Sequence, residues 1–379
     1  MKLLDRNILA GGIAFMAMAA GAVPVMANET IKIGIMNPLT GTYAFGGVPI
    51  QNGIKLGIKQ ANDAGVLGNT KITYVEADTA GDKGQTITLV SKFAQSDNVL
   101  MILGPTTSLE STGGAPVANQ LKVPMFSVGS SKAILDAGPY SSKIQAVGAE
   151  IMGNLSTYAT QKLGVKKVSL VFDRSNDGFV GQKDAFKKFL QDAGVRIASE
   201  EGILASDTDF LALATKLAGQ DIDAFFVAAP VEVGSNVLLQ ARQAGVASKV
   251  LFLAPSSFAS DAFIATAGTA SEGAYIVADY FAGDQGEMNQ SFVRAYRETY
   301  RVAPDNWAAM GYALATLAVQ AIKDAGANPD REKVMKAMNA LRNQPTIIGN
   351  HTWTMDANRN PSYGAALLTV KGGKFVLAP

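Results

Sequence analysis

Ile31-Lys-Ile-Gly-Ile-Met36, the stretch Ile50 to Ala64, and Lys71-Ile-Thr-Tyr-Val-Glu76 together decide the fold. The first and third are short and rich in β-branched and apolar residues, which reads as strand. The stretch between them sets Ile50, Ile54, Leu56, Gly57, Ile58 and Ala61 on or near one face of a helix. Strand, helix, strand is the unit of a parallel sheet, because a parallel return needs a crossover and a helix supplies it.

The unit repeats outward from there. Gly84 to Gln95 reads as helix and Leu100 to Leu103 as strand. A second series begins after about Gln145: helix Glu150 to Leu163, strand Lys167 to Phe172, helix Gly181 to Ala193, strand Arg196 to Gly202. Phe210 to Ala218, Ala224 to Ala228, Gly234 to Ala244 and Val250 to Leu253 continue it. Ser291 to Tyr300, Asn306 to Ala325 and Glu332 to Leu341 read as helices, and Gly364 to Lys371 with Lys374 to Val376 as a hairpin across Gly372 and Gly373. The class is α/β, with two doubly wound series and so two lobes with a cleft between them.

The N-terminus sets the compartment. Lys2 and Arg6 precede an apolar run from Ile8 to Val23, then Pro24 and the small-residue pair Val25 and Ala27. That order predicts a secretory signal peptide over residues 1–27, cleaved after Ala27, and so export from the cytoplasm. The run is too short and too diluted by Gly and Ala for a membrane anchor. The chain beyond the leader is too long for one ordinary core and suits two lobes of roughly 100 to 200 residues each.

Charge and composition exclude several functions. The chain has 33 basic and 32 acidic residues, and the leader takes Lys2, Arg6 and Asp5, so the remainder is balanced. A neutral surface gives no reason to expect nucleic acid or anionic membrane as partner. Cysteine is absent and His351 is the only histidine, so no disulfide, lipid-anchoring cysteine or transition-metal site is expected. No Gly-Lys-Ser or Gly-Lys-Thr makes a phosphate loop, and Gly41 to Gly47 does not fit a dinucleotide fingerprint. A serine nucleophile lacks a base, and the carboxylate pairs Glu200 with Glu201 and Asp207 with Asp209 read as caps. No enzyme activity, cofactor or metal is expected.

Two segments carry the candidate site: Gly104-Pro-Thr-Thr-Ser-Leu-Glu-Ser-Thr-Gly-Gly114 and Val123-Pro-Met-Phe-Ser-Val-Gly-Ser-Ser131. Each places hydroxyls just past the carboxyl end of an apolar strand, where open α/β sheets bind ligands. Hydroxyls and amides at helix N-termini suit a carboxylate. Plain helix capping is the alternative for each serine.

Those residues, with Ile31-Lys-Ile-Gly-Ile-Met-Asn-Pro-Leu-Thr-Gly41, Gln60-Ala-Asn-Asp-Ala-Gly65, Val75-Glu-Ala-Asp78, Leu239-Gln-Ala-Arg-Gln-Ala-Gly245 and Gly311-Tyr-Ala-Leu-Ala315, make the chain resemble the branched-chain amino acid binding proteins of ABC importers. The resemblance implies the type I periplasmic binding fold, two α/β lobes joined by three crossing strands near 145–148, 275–280 and 347–353. The lobes then comprise residues 28–146 with 277–348, and 147–276 with 349–379. It implies a monomeric receptor that closes on a small molecule and docks on an ABC permease. It also maps the carboxylate-holding positions onto Ser108 and Gly129-Ser130-Ser131, and the apolar walls onto Tyr43, Phe45, Phe179 and Trp307.

The second lobe departs from the family. The glutamate that pairs with a ligand's ammonium corresponds here to Ser256, a crevice tyrosine corresponds to Ala229, and the family's cysteine pair to Ala80 and Thr107. An ammonium closed in without an anion is destabilised by on the order of 2 to 5 kcal/mol. The expected ligand is therefore a small aromatic or other organic acid without an α-ammonium, with Arg174 either facing the cleft as a second anion partner or engaged in a surface ion pair. A branched-chain amino acid or an amide is the alternative, with Asp261, Glu232 or Asp177 replacing the missing carboxylate, and a periplasmic sensor domain is a further rival.

Overall fold

The computed structural model describes residues 30–379. The expected signal peptide and its cleavage site lie outside them.

Two sheets organise the chain. The first is wholly parallel, in the order β2 (Lys71–Asp78), β1 (Thr30–Asn37), β3 (Ile102–Leu103), β4 (Met125–Ser127), β5 (Ser141–Lys143). One face is covered by α1 (Ala44–Asp63), the other by α2 (Lys83–Gln95) and α3 (Ser108–Gln120), while a short α4 (Ala133–Asp136) precedes β5. Met36, Val90, Phe93, Ile102, Ala115, Ala118 and Met125 form the core on the α2–α3 face.

The second lobe opens with α5 (Gly148–Gln161) and β6 (Lys167–Asp173), followed by α6 (Asp177–Asp192), β7 (Arg196–Ile203), α7 (Leu211–Ala218), β8 (Ala224–Ala228), α8 (Val231–Gln243), β9 (Leu251–Ala254), α9 (Asp261–Ala267) and β10 (Tyr275–Ala278). Its strand order is β15 (Phe375–Leu377), β14 (Ala366–Val370), β10, β9, β8, β6, β7. The strands from β6 to β10 are parallel, and the edge is the antiparallel hairpin of β14 and β15 expected across the two glycines.

After β10 the chain returns to the first sheet as α10 (Glu287–Tyr300), α11 (Asn306–Asp324) and α12 (Arg331–Ala340). Helix α11 lies against α1 almost backbone to backbone: a Cβ on Gly53 would overlap Ala308 O, and one on Gly311 would overlap Ile50 O. That close approach fixes where the first turns of both helices end up.

The crossings are less regular than expected. Only β10 is a strand of the main sheets; residues 145–147 and 347–351 are irregular, and a small sheet of β11 (Gln344–Pro345), β12 (Thr352–Met355) and β13 (Pro361–Ser362) flanks the third. What holds them is one buried carboxylate. Asp279 accepts from Gln145 Nε2 at 3.1 Å, from Asn306 Nδ2 at 3.3 Å and from the Tyr363 hydroxyl, while its carbonyl accepts from Gly349 N at 2.8 Å. A buried carboxylate is tolerated only when surrounded by donors, and through Gln145, Asp279 itself and Gly349 this junction ties the three crossings together.

Several helices start earlier than their hydrophobic period suggests. Helix α1 begins at Ala44 rather than Ile50, α6 at Asp177 rather than Gly181, and α8 at Val231 rather than Gly234. Glycines and polar residues in these first turns mask the period, and those of α1 and α6 line the cleft.

Candidate functional site

In each sheet the strand order reverses once, between β1 and β3 and between β6 and β8, and ligand crevices form outside the carboxyl ends of strands at such points. A cavity lies there between the lobes. Its lining comes from Tyr43 and Phe45 after β1, Thr106 to Ser108 after β3, Gly129 and Ser130 after β4, and Gln145 at the first crossing. The second lobe adds Asn176, Gly178, Phe179, Gln182, Ser256 and Ser257, and α11 brings Trp307. These residues leave a cavity of about 50 Å³ between the lobes.

The apolar part is an aromatic box. Phe45 meets Trp307 edge to face, ring centroids 5.8 Å apart at 75°. Tyr43 and Phe179 are buried beside them, and the Tyr43 hydroxyl donates to Asp173 Oδ2 at 3.3 Å across the lobes. Burial, together with the Asp173 charge, pushes the Tyr43 phenol well above its usual range.

The polar part is built from hydroxyls already used as acceptors. Ser108 Oγ accepts from Ser131 N at 3.1 Å, Ser130 Oγ from Gln182 Nε2 at 3.4 Å, and Ser256 Oγ from Gln145 Nε2 at 3.1 Å. Each keeps its hydroxyl hydrogen to donate. Trp307 Nε1 adds a buried N–H without a partner among the described residues, and Gln182 Oε1 is the one lining acceptor in the same condition.

Helix ends supply further positive potential. The first residues of α1, α3, α6 and α11 all reach the cavity. Thr107 caps α3 in a capping box with Glu110, Asn176 caps α6 through Gly178 N at 3.0 Å, and Asp305 caps α11 through Ala308 N at 2.9 Å. N-terminal helix ends favour anions.

Glycine permits the closure. A Cβ at Gly129 would stand 2.8 Å from Ser108 Cα and N, and one at Gly178 would overlap Ser108 Oγ and come within 3.1 Å of Ser130 Oγ. The lobes therefore meet where the hydroxyls are.

Three residues singled out from sequence lie elsewhere. Ser131 lends the site only its amide; its hydroxyl accepts from Ala133 N at 3.3 Å, a local turn bond just before α4. Arg174 is exposed, its side chain beside Gly202 on β7. Ala229 is fully buried in the second core, its carbonyl accepting from Ser257 Oγ at 3.0 Å. None of Asp177, Glu232 and Asp261 lines the cavity, nor does any other charged side chain among the described residues.

Other site residues escaped the sequence reading. Gln145, Asn176 and Gln182 are polar residues without a motif, brought together by the crossing and by the first two turns of α6. Lys143 lies in the unremarkable Ser-Ser-Lys of β5, yet it is fully buried and donates to Ser130 O at 3.2 Å and Gln145 O at 2.6 Å. Burial brings its ammonium down to about 7, against the pull of Glu150 and Asp279.

Two doubly wound lobes closed over a cavity at their switch points, joined by three crossings, define a solute-binding protein of the type I periplasmic kind. The chain belongs to the periplasmic binding protein family, whose model matches residues 30–374. It is 27% identical over 330 residues to the leucine-, isoleucine-, valine-, threonine- and alanine-binding protein of Pseudomonas aeruginosa, covering 86% of this chain and 87% of that one. A leucine-binding protein of Thermotoga maritima superposes with a TM-score of 0.85 at 24% identity, over 92% of this chain and 98% of the other. An ABC-transporter solute-binding protein of Rhodopseudomonas palustris in complex with 3,4-dihydroxybenzoic acid superposes with a TM-score of 0.82 at 25% identity, over 91% and 95%. The family is one of ABC-transporter solute-binding proteins and not of enzymes.

Proposed function

We propose that this protein is the receptor of an ABC importer for a small carboxylate without an α-ammonium, an aromatic acid above all, which it encloses between the lobes 28–146 with 277–348 and 147–276 with 349–379 and delivers to a membrane permease. The carrying observation is the charge of the lining: serine hydroxyls, an indole N–H and helix N-termini, with no carboxylate among them. A zwitterionic amino acid would leave its ammonium unpaired there, at a cost on the order of 2 to 5 kcal/mol. A benzoate-like acid meets donors at one end and the Phe45, Phe179 and Trp307 rings at the other. Relatives that bind branched-chain amino acids and relatives that bind benzoates share the fold, so the proposal rests on the lining and not on the fold.

Calorimetric titration of ligand-free protein with benzoate, 3,4-dihydroxybenzoate, leucine and valine tests the reading. Binding of the aromatic acids with no heat from leucine or valine is the expected result. Tight binding of leucine or valine without response to the acids overturns it in favour of an amino-acid receptor.

A further inference from the structure

Beneath the cavity floor a chain of polarised groups leads from a buried cation to the ligand space. Lys143 Nζ donates to the Ser130 carbonyl at 3.2 Å; the N–H of that same peptide unit, on Ser131, donates to Ser108 Oγ at 3.1 Å; and Ser108 Oγ lines the cavity. Lys143 also donates to the carbonyl of Gln145, another lining residue, at 2.6 Å. No carboxylate lies within 4.0 Å of Nζ among the described residues. The carboxylates that face it from further off are Glu150 at the start of α5 and Asp279 after β10, the latter already hydrogen-bonded by Gln145, Asn306 and Tyr363.

We propose that Lys143 is the fixed counter-charge of the bound carboxylate, acting through the Ser130–Ser131 peptide and the Ser108 hydroxyl without touching the ligand, and that it makes the site prefer an anion to a neutral molecule of the same shape. The inference rests on the carboxylate-binding reading and names the residue that enforces it. A cation on the carbonyl side of a peptide strengthens its N–H as a donor, and chained hydrogen bonds reinforce one another in a low-dielectric interior. The Ser108 O–H at the end of the chain is thereby a stronger donor to an anion. A fully buried lysine held only by two carbonyls is close to losing its proton at neutral pH, as its fall to about 7 reflects. An anion entering the cavity favours the ammonium, so binding draws a proton from solution above that pH.

Benzoate and benzamide, nearly equal in shape and different in charge, separate this from a structural role for Lys143. Titrations of the full protein between pH 6 and pH 9, in buffers of different ionisation enthalpy, are expected to show benzoate affinity falling above about pH 7, approaching tenfold per pH unit, with net proton uptake. Benzamide affinity stays flat. Lys143→Met is expected to abolish that pH dependence and to lower benzoate affinity at pH 6 more than tenfold while sparing benzamide. Benzoate binding with a flat pH profile and no proton uptake in the unmodified protein overturns the role of Lys143 and leaves the carboxylate reading intact; this holds even where the variant does not fold. Leucine binding with no benzoate binding at any pH overturns both.

Discussion

The Tyr43 hydroxyl, just before α1, donates to Asp173 Oδ2 at the end of β6, 3.3 Å away, and so ties the lip of one lobe to the lip of the other. Asp173 is fully buried, and its other carboxylate oxygen accepts from the backbone and hydroxyl of Ser175. Tyr43→Phe keeps the ring in the aromatic box and removes the bond, which belongs to the closed form. The expected result is ligand affinity weaker by about 1 kcal/mol, roughly fivefold, mostly through faster release. Stopped-flow dissociation kinetics measure it; an unchanged off-rate shows that this bond does not hold the lobes shut.

Gly178→Ala separates folding from closure. The residue lies in the first turn of α6 with an ordinary backbone conformation, and its added methyl would overlap Ser108 Oγ only when the lobes meet. The variant is expected to melt no lower than the parent without ligand, because alanine favours helix over glycine. Its ligand affinity should fall at least a hundredfold, and X-ray scattering should show no compaction on adding ligand. Full retention of affinity would mean that the lobes do not meet at this point in the bound form.

Fluorescence reports the pocket directly, because the chain has two tryptophans and they occupy different places. Trp307 lines the cavity with its N–H unpartnered, whereas Trp353 is fully buried and donates to Ile144 O at 3.0 Å. Ligand addition is expected to change the emission of the parent and of Trp353→Phe but not of Trp307→Phe. Trp307→Phe should also weaken binding by about 1 kcal/mol if its N–H is used by the ligand. A signal that survives in Trp307→Phe and vanishes in Trp353→Phe contradicts the placement of the site.

The Asp279 junction should govern both stability and the hinge. Tyr363→Phe removes a donor to the buried carboxylate and the acceptor of Ala146 N at 3.3 Å. Leaving a buried carboxylate short of a donor costs about 1 to 3 kcal/mol. Urea denaturation is the measurement, and a loss below a few tenths would show that solvent reaches Asp279 and replaces the phenol.

Lys143 also gives stability a defined pH dependence. Its proton affinity in the folded protein, near 7, lies below the ordinary lysine value of 10.5. Between those values the unfolded chain holds the proton and the folded chain does not, so unfolding takes up a proton and stability rises with pH. The expected slope from this residue approaches about 1.4 kcal/mol per pH unit between pH 7.5 and pH 9.5 in ligand-free protein. The difference between the parent and Lys143→Met across that range isolates it, and parallel curves refute the depressed value.

Much of the fold is legible in local pattern. Ile33 and Ile35 alternate on one side of β1 while Met36 enters the core on the other, and the period of Ile50, Ile54 and Ile58 specifies the covered face of α1. The hydroxyl clusters at Ser108 and Ser130 are legible too, because a strand end followed by serine and a helix is a local arrangement. First turns were obscured where glycine and polar residues fill them, at Ala44 to Val48 and Asp177 to Val180.

The sequence by itself determined the alternation of strand and helix, the two-lobe class, the absence of thiol chemistry, the single imidazole and the absence of an acidic residue at Ser256. Those properties reside in single residues or short periods, and no distant contact alters them. Only the tertiary structure decided that Ser130 rather than the Ser131 hydroxyl faces the cavity, that Arg174 points away from it, and that Lys143 lies buried beneath it. Each depends on which side of a strand-end loop meets the other lobe. That direction is set by the packing of α11 on α1 and by the crossings gathered on Asp279, from residues more than a hundred positions apart in the chain.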